Sequence, residues 1–427
     1  MWKQVLLAAS VAAAAEPIHV ESAAVHTNSV PGQSFVSYSI ELSSFPDFAG
    51  TPLVSTCVPS CPPTHKVLLG NISNPNTFTD NLLTNLGHIL GSKPYIRVGG
   101  NTQDYALSTA PTTRNAPTTT QPPSTSARPF SSPTRPFPAS SAVTAEGWQA
   151  LVDTAPLACK ALGRDRFYGY EYGNEPNNFN LGGKYAPRST SWGPKDYVRE
   201  WLNGTAEIRG QMRKHCPDLE PEYLEFMAPS YDDRVGSLKA VDNSDINTYS
   251  VHNYIDGATS PGVTLQHTLM NHTRTTRDVD EQLQQYKKIM ATGKGRAPLI
   301  FGETNSLYFQ GKRGLSNSFG AALWGLDFNL YSASAGYQRV HMHQGTNYRY
   351  QSWQPIDTEK TAKGTKAPYY GNIAAASALG NLVRNNVTIA SLPLESDTEV
   401  AYAVYEGGSG LFGGAAEYRT LILMLDP

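Results

Sequence analysis

The stretch Arg166 to Asn178, RFYGYEYGNEPNN, restricts this chain more than any other. It begins with an aromatic-rich run, Phe167-Tyr168-Gly169-Tyr170, of strand-like composition. The run breaks at Gly173 and presents Asn174, Glu175 and Pro176. Pro176 has no N–H to give to a ladder, so the strand must stop there. A carboxylate beside a carboxamide at such a stop is placed for chemistry, because barrels of parallel strands carry their catalytic groups at the strands' C-terminal ends. Pro298 to Tyr308, PLIFGETNSLY, repeats the pattern, with an apolar run that ends in Gly302-Glu303. Two strand-end glutamates point to paired-carboxylate chemistry, of which glycoside hydrolysis is the leading case.

The remaining chain alternates strand-like and helix-like text. Strands are expected to start near Phe35, Tyr95, Arg166, Tyr223, Ile246, Pro298 and Gln338. Helical spacing is expected over 78–90, 148–162, 197–214, 279–291 and 315–333, with a short helix in PYYGNIAAASALG. This order predicts an α/β fold, a (β/α)8 TIM barrel over 35–360. Seven strands are visible where the fold needs eight. The third should fall within 109–141, but that segment is rich in Pro, Thr and Ser and reads as disordered or mucin-like. A second irregular segment, 51–69, crowds prolines around Cys57 and Cys61 and reads as an insertion or as a loop closed by their disulfide. Residues 16–34 are expected to supply N-terminal strand(s) of an accessory β-domain, and 361–427 an incomplete C-terminal β-sandwich with an exposed edge.

The first residues, MWKQVLLAASVAAAAEP, have the positive end, apolar core and small-residue cleavage site of a secretory signal over 1–15. Sequons at Asn71, Asn203, Asn271 and Asn386 agree with secretion. So do four cysteines, Cys57, Cys61, Cys159 and Cys216, whose three possible pairings the sequence leaves open. Cys57 and Cys61 have no partner motif for zinc, and no metal or cofactor is expected. With 16% charged residues and a formal net charge of −2, nucleic acid and anionic membrane are poor partners. Walker, dinucleotide, zinc-protease and serine-hydrolase motifs are missing from the sequence.

The segments YIRVGGNTQDYAL, YGYEYGNEPN, VHNY, FGETNSLY, GLSNSFGAALWGLD and VHMHQGTNYRYQSWQPI, spread from about Phe35 to Ile356, together resemble glycoside hydrolase family 79. This is the fungal β-glucuronidase and heparanase-like group within the retaining barrel clan. The resemblance implies a secreted retaining β-glucuronidase, acting on terminal β-linked glucuronic or 4-O-methylglucuronic acid of glycans such as arabinogalactan. Scattered basic groups argue against long heparan sulfate. Two other readings stand beside it. One is a related glycosidase acting on a neutral sugar. The other is a non-catalytic or folding-impaired product of a faulty gene model.

Within that frame Glu175 is the expected general acid/base and Glu303 the nucleophile. Asn174 is expected to bond the sugar's 2-hydroxyl, and Asn101 is a further substrate candidate at the end of the Tyr95 strand. Arg97, a cation within an apolar strand, needs a buried partner and is expected to support a catalytic carboxylate. Tyr254 is expected to donate to Glu303. His252 lies two residues earlier on the same strand face and reads as structural. Tyr308, His343 and Tyr350 are the candidates for sugar recognition, the resemblance assigning the tyrosines and nearby loop amides to the uronic carboxylate. Trp353 reads as either a sugar platform or a packing residue.

Overall fold

The computed structural model describes residues 30–52, 70–105, 133–134, 145–182, 187–218, 224–232, 246–291, 297–392, 394, 396–407 and 417–424. The expected signal segment, the strand around Ile18 to Ala24, most of segments 51–69 and 109–141, and Cys57 and Cys61 lie outside the described residues.

Eight strands form one parallel sheet: β1 (Val36–Glu41), β2 (Ile96–Gly99), β3 (Pro133–Thr134), β4 (Gly169–Glu171), β5 (Glu225–Tyr231), β6 (Thr248–Gly257), β7 (Leu299–Tyr308) and β8 (Arg339–Gln344). Their order is β3-β2-β1-β8-β7-β6-β5-β4, so strands consecutive in the chain are neighbours and β8 returns beside β1. Among the described residues no ladder joins β3 to β4, and the curled sheet is open along that seam. The strand expected to be missing is β3. Its two residues pair with Ile96 and Arg97 of β2, so a short third strand does lie within segment 109–141, where none was visible in the sequence. Two residues cannot display alternation, and one of them is a proline, so no periodic signal existed to read.

The polar alternation of FVSYSIEL now has a cause. Along β1, Tyr38 turns outward against the Trp353 ring at 4.8 Å, whereas Ser39 turns inward and bonds Arg97. The barrel interior is thus filled with hydrogen-bonded polar groups at the level of the site.

Outside the sheet lie α1 (Thr77–Leu90), α2 (Ala145–Leu162), α3 (Pro194–His215), α4 (His272–Met290), α5 (Phe319–Ala335) and α6 (Ala367–Leu379). α5 buries most of its residues, including Trp324, Phe328, Asp327 and Asn329, and exposes only Phe319 at its start. Such a helix has no polar face to show to water. α6 lies against both α5 and α1: Asn329 bonds Asn372 at 3.3 Å, and the Tyr369 hydroxyl donates to the Leu82 carbonyl at 3.0 Å. It therefore completes the helical shell, and the separate C-terminal sheet starts only at Asn386.

That sheet has three antiparallel strands, β9 (Asn386–Leu392), β10 (Glu399–Gly407) and β11 (Glu417–Met424). It is pinned to the barrel through buried Asp327, which accepts from the Tyr402 hydroxyl of β10 at 2.6 Å and faces His272 Nδ1 of α4 at 3.0 Å. The sequon residues Asn203 and Asn386 are exposed, whereas the Asn271 carboxamide caps α4 by accepting from the Arg274 N–H at 2.8 Å. No helix among the described residues is long and apolar enough to cross a membrane.

Cys159 near the end of α2 and Cys216 just after α3 form a disulfide across a sequence separation of 57. It closes a loop that contains β4 and Glu175, the part of the wall next to the open seam. Replacing both cysteines with serine should lower the unfolding free energy by about 2–4 kcal/mol, by the loop-closure argument. Urea unfolding of the oxidised parent beside Cys159→Ser/Cys216→Ser checks this.

Candidate active site

Three glutamates meet inside the C-terminal mouth of the barrel, on two strands that the sequence marked and by a rule of period two. Glu171 is the last residue of β4 and faces inward, whereas Tyr170 before it faces outward and bonds the Ala155 carbonyl of α2. Four residues later the chain has turned over the rim, and Glu175 comes back over the site. Its backbone sits at φ 46°, ψ 53°, a left-handed conformation uncommon for a side-chain-bearing residue. The Glu175 N–H donates to the Ser230 carbonyl at 3.0 Å, and Pro176 opens a short helical turn behind it. Strain of this kind persists only where neighbours hold it, and it collects at functional positions. Glu303 lies within β7, in register with His252 of β6, next to a ladder irregularity between Val251 and His252.

Arg97 of β2 joins the groups. It is 4% exposed. Its Nε donates to Glu171, Nη1 to Glu303 at 2.6 Å and to Ser39 at 2.9 Å, and Nη2 to the Asn174 side-chain oxygen at 3.0 Å. The last bond orients the Asn174 amide, whose Nδ2 then reaches Asn101 at 3.2 Å. Glu303 receives two further groups: the Tyr254 hydroxyl donates at 2.7 Å, and His343 Nδ1 stands 3.5 Å away. Burial alone would raise the Glu303 pKa, but His343, His252, Arg97 and the Tyr254 hydroxyl outweigh it and hold the carboxyl at about 2. This group is an anion at any ordinary pH.

Glu175 is treated differently. Burial pushes its pKa up from the ordinary carboxyl value, and only His252, with Nδ1 3.0 Å from Oε1, pulls against it. Asn178 touches the other oxygen at 3.5 Å and is itself held by Asp232 at 2.8 Å. Its side chain keeps 14% of its surface open, against 5% for Glu303 and 2% for Glu171. Of the three, Glu175 alone can both hold a proton and reach an incoming molecule. The atoms that Glu175, His252 and Glu303 turn towards one another all lie within 4.8 Å. Arg97 already supplies positive charge to Glu303 in this cluster, so the carboxylate needs no cation to balance it.

An aromatic wall closes one side. The Tyr254 ring meets Tyr350 at 6.1 Å and Tyr308 at 6.4 Å, and His343 meets Tyr350 at 6.2 Å. Tyr350 is buried, whereas Tyr308 is 40% exposed at the rim. On the other side buried Glu41 accepts from Thr102 N at 3.0 Å and Tyr348 Oη at 3.2 Å. Gln103 and Asp104 are also buried, yet both side-chain atoms of Gln103 and Asp104 Oδ1 find no hydrogen-bond partner among the described residues. Burial raises the Asp104 pKa well above the ordinary value.

Every residue expected at the site from sequence is in or beside this cluster: Arg97, Asn101, Asn174, Glu175, Tyr254, Glu303, Tyr308, His343 and Tyr350. Trp353 is not. It is fully buried, bonds Thr79 through its indole N–H at 3.0 Å and packs on Tyr38 and Phe48. His252, read from sequence as structural, contacts Glu175 directly. Glu171, Glu41, Gln103 and Asp104 were missed. Only Glu171 carried a usable signal, since period two from Tyr170 and Tyr172 puts it on the inner face.

A glutamate within the seventh strand of a parallel barrel, fixed as an anion, and a second on the turn after the fourth, able to keep its proton, mark a glycoside hydrolase. No family model matches the chain. A β-glucuronidase from Neurospora crassa is 45% identical over 416 residues, covering 88% of this chain and 70% of that protein. One from Aspergillus niger is 42% identical over 396 residues, covering 87% and 69%. The crystal structure of a 4-O-α-L-rhamnosyl-β-D-glucuronidase from Fusarium oxysporum 12S has the same fold, with a TM-score of 0.61 and 23% identity over 91% of this chain and 79% of that one. The chain belongs to the fungal β-glucuronidase family, in agreement with its resemblance to glycoside hydrolase family 79.

The Tyr254 hydroxyl is one of the groups that hold Glu303 low. A hydrogen bond to a charged group is worth about 1.5–3 kcal/mol, so Tyr254→Phe should lower kcat/KM by about 10- to 100-fold. With its donor gone, the Glu303 pKa rises, so the acidic limb of the pH–rate profile should move to higher pH. Initial rates from pH 2.5 upward, on parent and variant, check both effects.

Proposed function

We propose that this protein is a secreted β-glucuronidase that removes terminal β-linked glucuronic or 4-O-methylglucuronic acid, with retention, from glycan side chains such as those of arabinogalactan. The observation that carries the mechanism is the spacing of the pair: an oxygen of Glu175 and one of Glu303 lie within 4.8 Å. Retaining glycosidases set their carboxyls at about 5–5.5 Å, whereas inverting ones leave about 6.5–9.5 Å for a water molecule.

In the first step the Glu303 carboxylate attacks the anomeric carbon while Glu175 gives its proton to the departing glycosidic oxygen. An ester between Glu303 and the sugar forms, and the aglycone leaves as an alcohol. In the second step Glu175, now a carboxylate, takes a proton from water. The hydroxide adds to the anomeric carbon, and Glu303 is released as the carboxylate. The environments suit the roles: the raised pKa of Glu175 fits an acid, and the lowered one of Glu303 fits a nucleophile. Asn174, whose side chain Arg97 orients, would bond the 2-hydroxyl.

Asp104, which feels the charges of Glu175 and Arg97 and whose Oδ1 finds no partner among the described residues, would accept from a further sugar hydroxyl. The Tyr308 and Tyr350 hydroxyls and neighbouring backbone N–H groups of the loop after β8 would receive the uronic carboxylate, which hydroxyl and N–H donors can hold without an arginine.

The test is release of p-nitrophenol from p-nitrophenyl β-glucuronide. The parent should turn it over, and Glu303→Ala should abolish turnover. Glu175→Ala should recover rate when azide is added, because azide needs no base to open the glycosyl ester, and the product should be the β-azide. Faster turnover of a neutral aryl glycoside, or activity that survives both substitutions, would overturn the proposal.

A further inference from the structure

Below the two glutamates of the reaction lies Glu171, which no step uses. It cannot touch substrate. Its carboxylate is 2% exposed and is already occupied by Arg97 Nε, by Ser230 Oγ at 2.6 Å and by Ser250 Oγ. His252 lies between it and Glu175, with Nε2 3.9 Å from Glu171 Oε1 and Nδ1 3.0 Å from Glu175 Oε1. The ring is fully buried, and Nε2 has no hydrogen-bond partner among the described residues. One imidazole thus spans two carboxylates: one must gain and lose a proton in every turnover, and the other is held ionised by Arg97.

We propose that Glu171 is a positioning residue that acts through His252, its fixed negative charge keeping the imidazole doubly protonated so that an N–H always faces Glu175 Oε1. This inference rests on Glu175 being the acid/base.

The consequence is a directed proton. A neutral imidazole with Nδ1 bare would accept the proton of Glu175 and hold it away from the leaving group. An imidazolium can only donate. Oε1 is then blocked, and the acidic proton must sit on Oε2, which Asn178 Nδ2 approaches only at 3.5 Å and which is left to meet the glycosidic bond. After transfer, the same cation stabilises the Glu175 carboxylate until it acts as base. The groups that face His252 are Glu171 of β4, Glu175, Arg97 of β2 and Glu303 of β7. Burial and Arg97 lower its pKa, but the carboxylates outweigh them and hold it at about 9. Those that face Glu175 are His252, Glu303, Asp232, Asp104 and Tyr254.

Glu171→Gln removes the charge and keeps the shape. His252 then loses its proton more readily, the Glu175 carboxylate loses its cation and its pKa rises. The basic limb of kcat against pH should move up by about one unit, and kcat should fall by about tenfold or more with little change in KM. His252→Asn keeps an amide donor without the charge. It should move the limb in the same direction, and Glu171→Gln should add no further shift in that background. Parent, both single variants and the double variant are compared with p-nitrophenyl β-glucuronide, or with whichever aryl glycoside the parent turns over.

A Glu171→Gln enzyme with lower stability but an unmoved basic limb would reduce Glu171 to a counter-ion for Arg97 and overturn the proposal. Should that variant not fold, His252→Asn decides: an unmoved limb overturns it, and an upward shift supports it. A parent without glucuronidase activity would instead count against the proposed function, and the two failures are separable.

Discussion

The Arg97 guanidinium is the interaction on which this structure depends. Its donors reach Glu171, Glu303, Asn174 and Ser39, groups drawn from three strands and the turn after one of them. A lone charge at this depth would be prohibitive, and each carboxylate would be too. Together they are tolerable, because every charge has a partner and the partners are held by the sheet. The arrangement also divides labour. Glu171 and Glu303 share the arginine and are ionised. Glu175, which the arginine does not reach, is left to the opposing effects of burial and His252.

The scaffold follows from that requirement. A parallel barrel lets β1, β2, β4, β6, β7 and β8 each aim one or two polar side chains at a common point while their outward neighbours pack on helices. The turn after β4 adds strain to this, holding Glu175 in the left-handed region so that it reaches back over the strand end. On the outer layer α5 buries most of its residues, and Asp327 ties it to α4 and to the C-terminal sheet. The helix behind Glu303 is thereby braced from two sides.

Much of this was legible in the sequence. A strand end was marked by Gly173 and Pro176, and a cation in an apolar run at Arg97 could only be paired; the end expected at Gly302-Glu303 is not there, since β7 runs on to Tyr308. Glu175 and Asn174 follow from the first rule, whereas Glu303 and Tyr254 needed the pairing of carboxylates and the family resemblance as well. Three features were not legible. β3 is two residues long, below the length at which alternation exists. His252 sits on the inner face of its strand like any core histidine, and only the turn that brings Glu175 back over the sheet gives it a partner. Asp104 and Gln103 belong to a helical turn after β2, where no periodicity distinguishes a site residue from a loop residue.

The central claim is that Glu303 forms a covalent bond with the sugar while Glu175 handles protons. Incubating the parent with 2-deoxy-2-fluoro-β-glucuronyl fluoride and mapping its peptides by mass spectrometry tests it most directly. The fluorine at C2 slows both steps, and the activated leaving group lets only the first proceed. One added fluoroglucuronyl group is expected, located on Glu303 in the peptide containing FGETN. A label on Glu175, or turnover of the fluoride with no labelled peptide and an α-configured product, would contradict it.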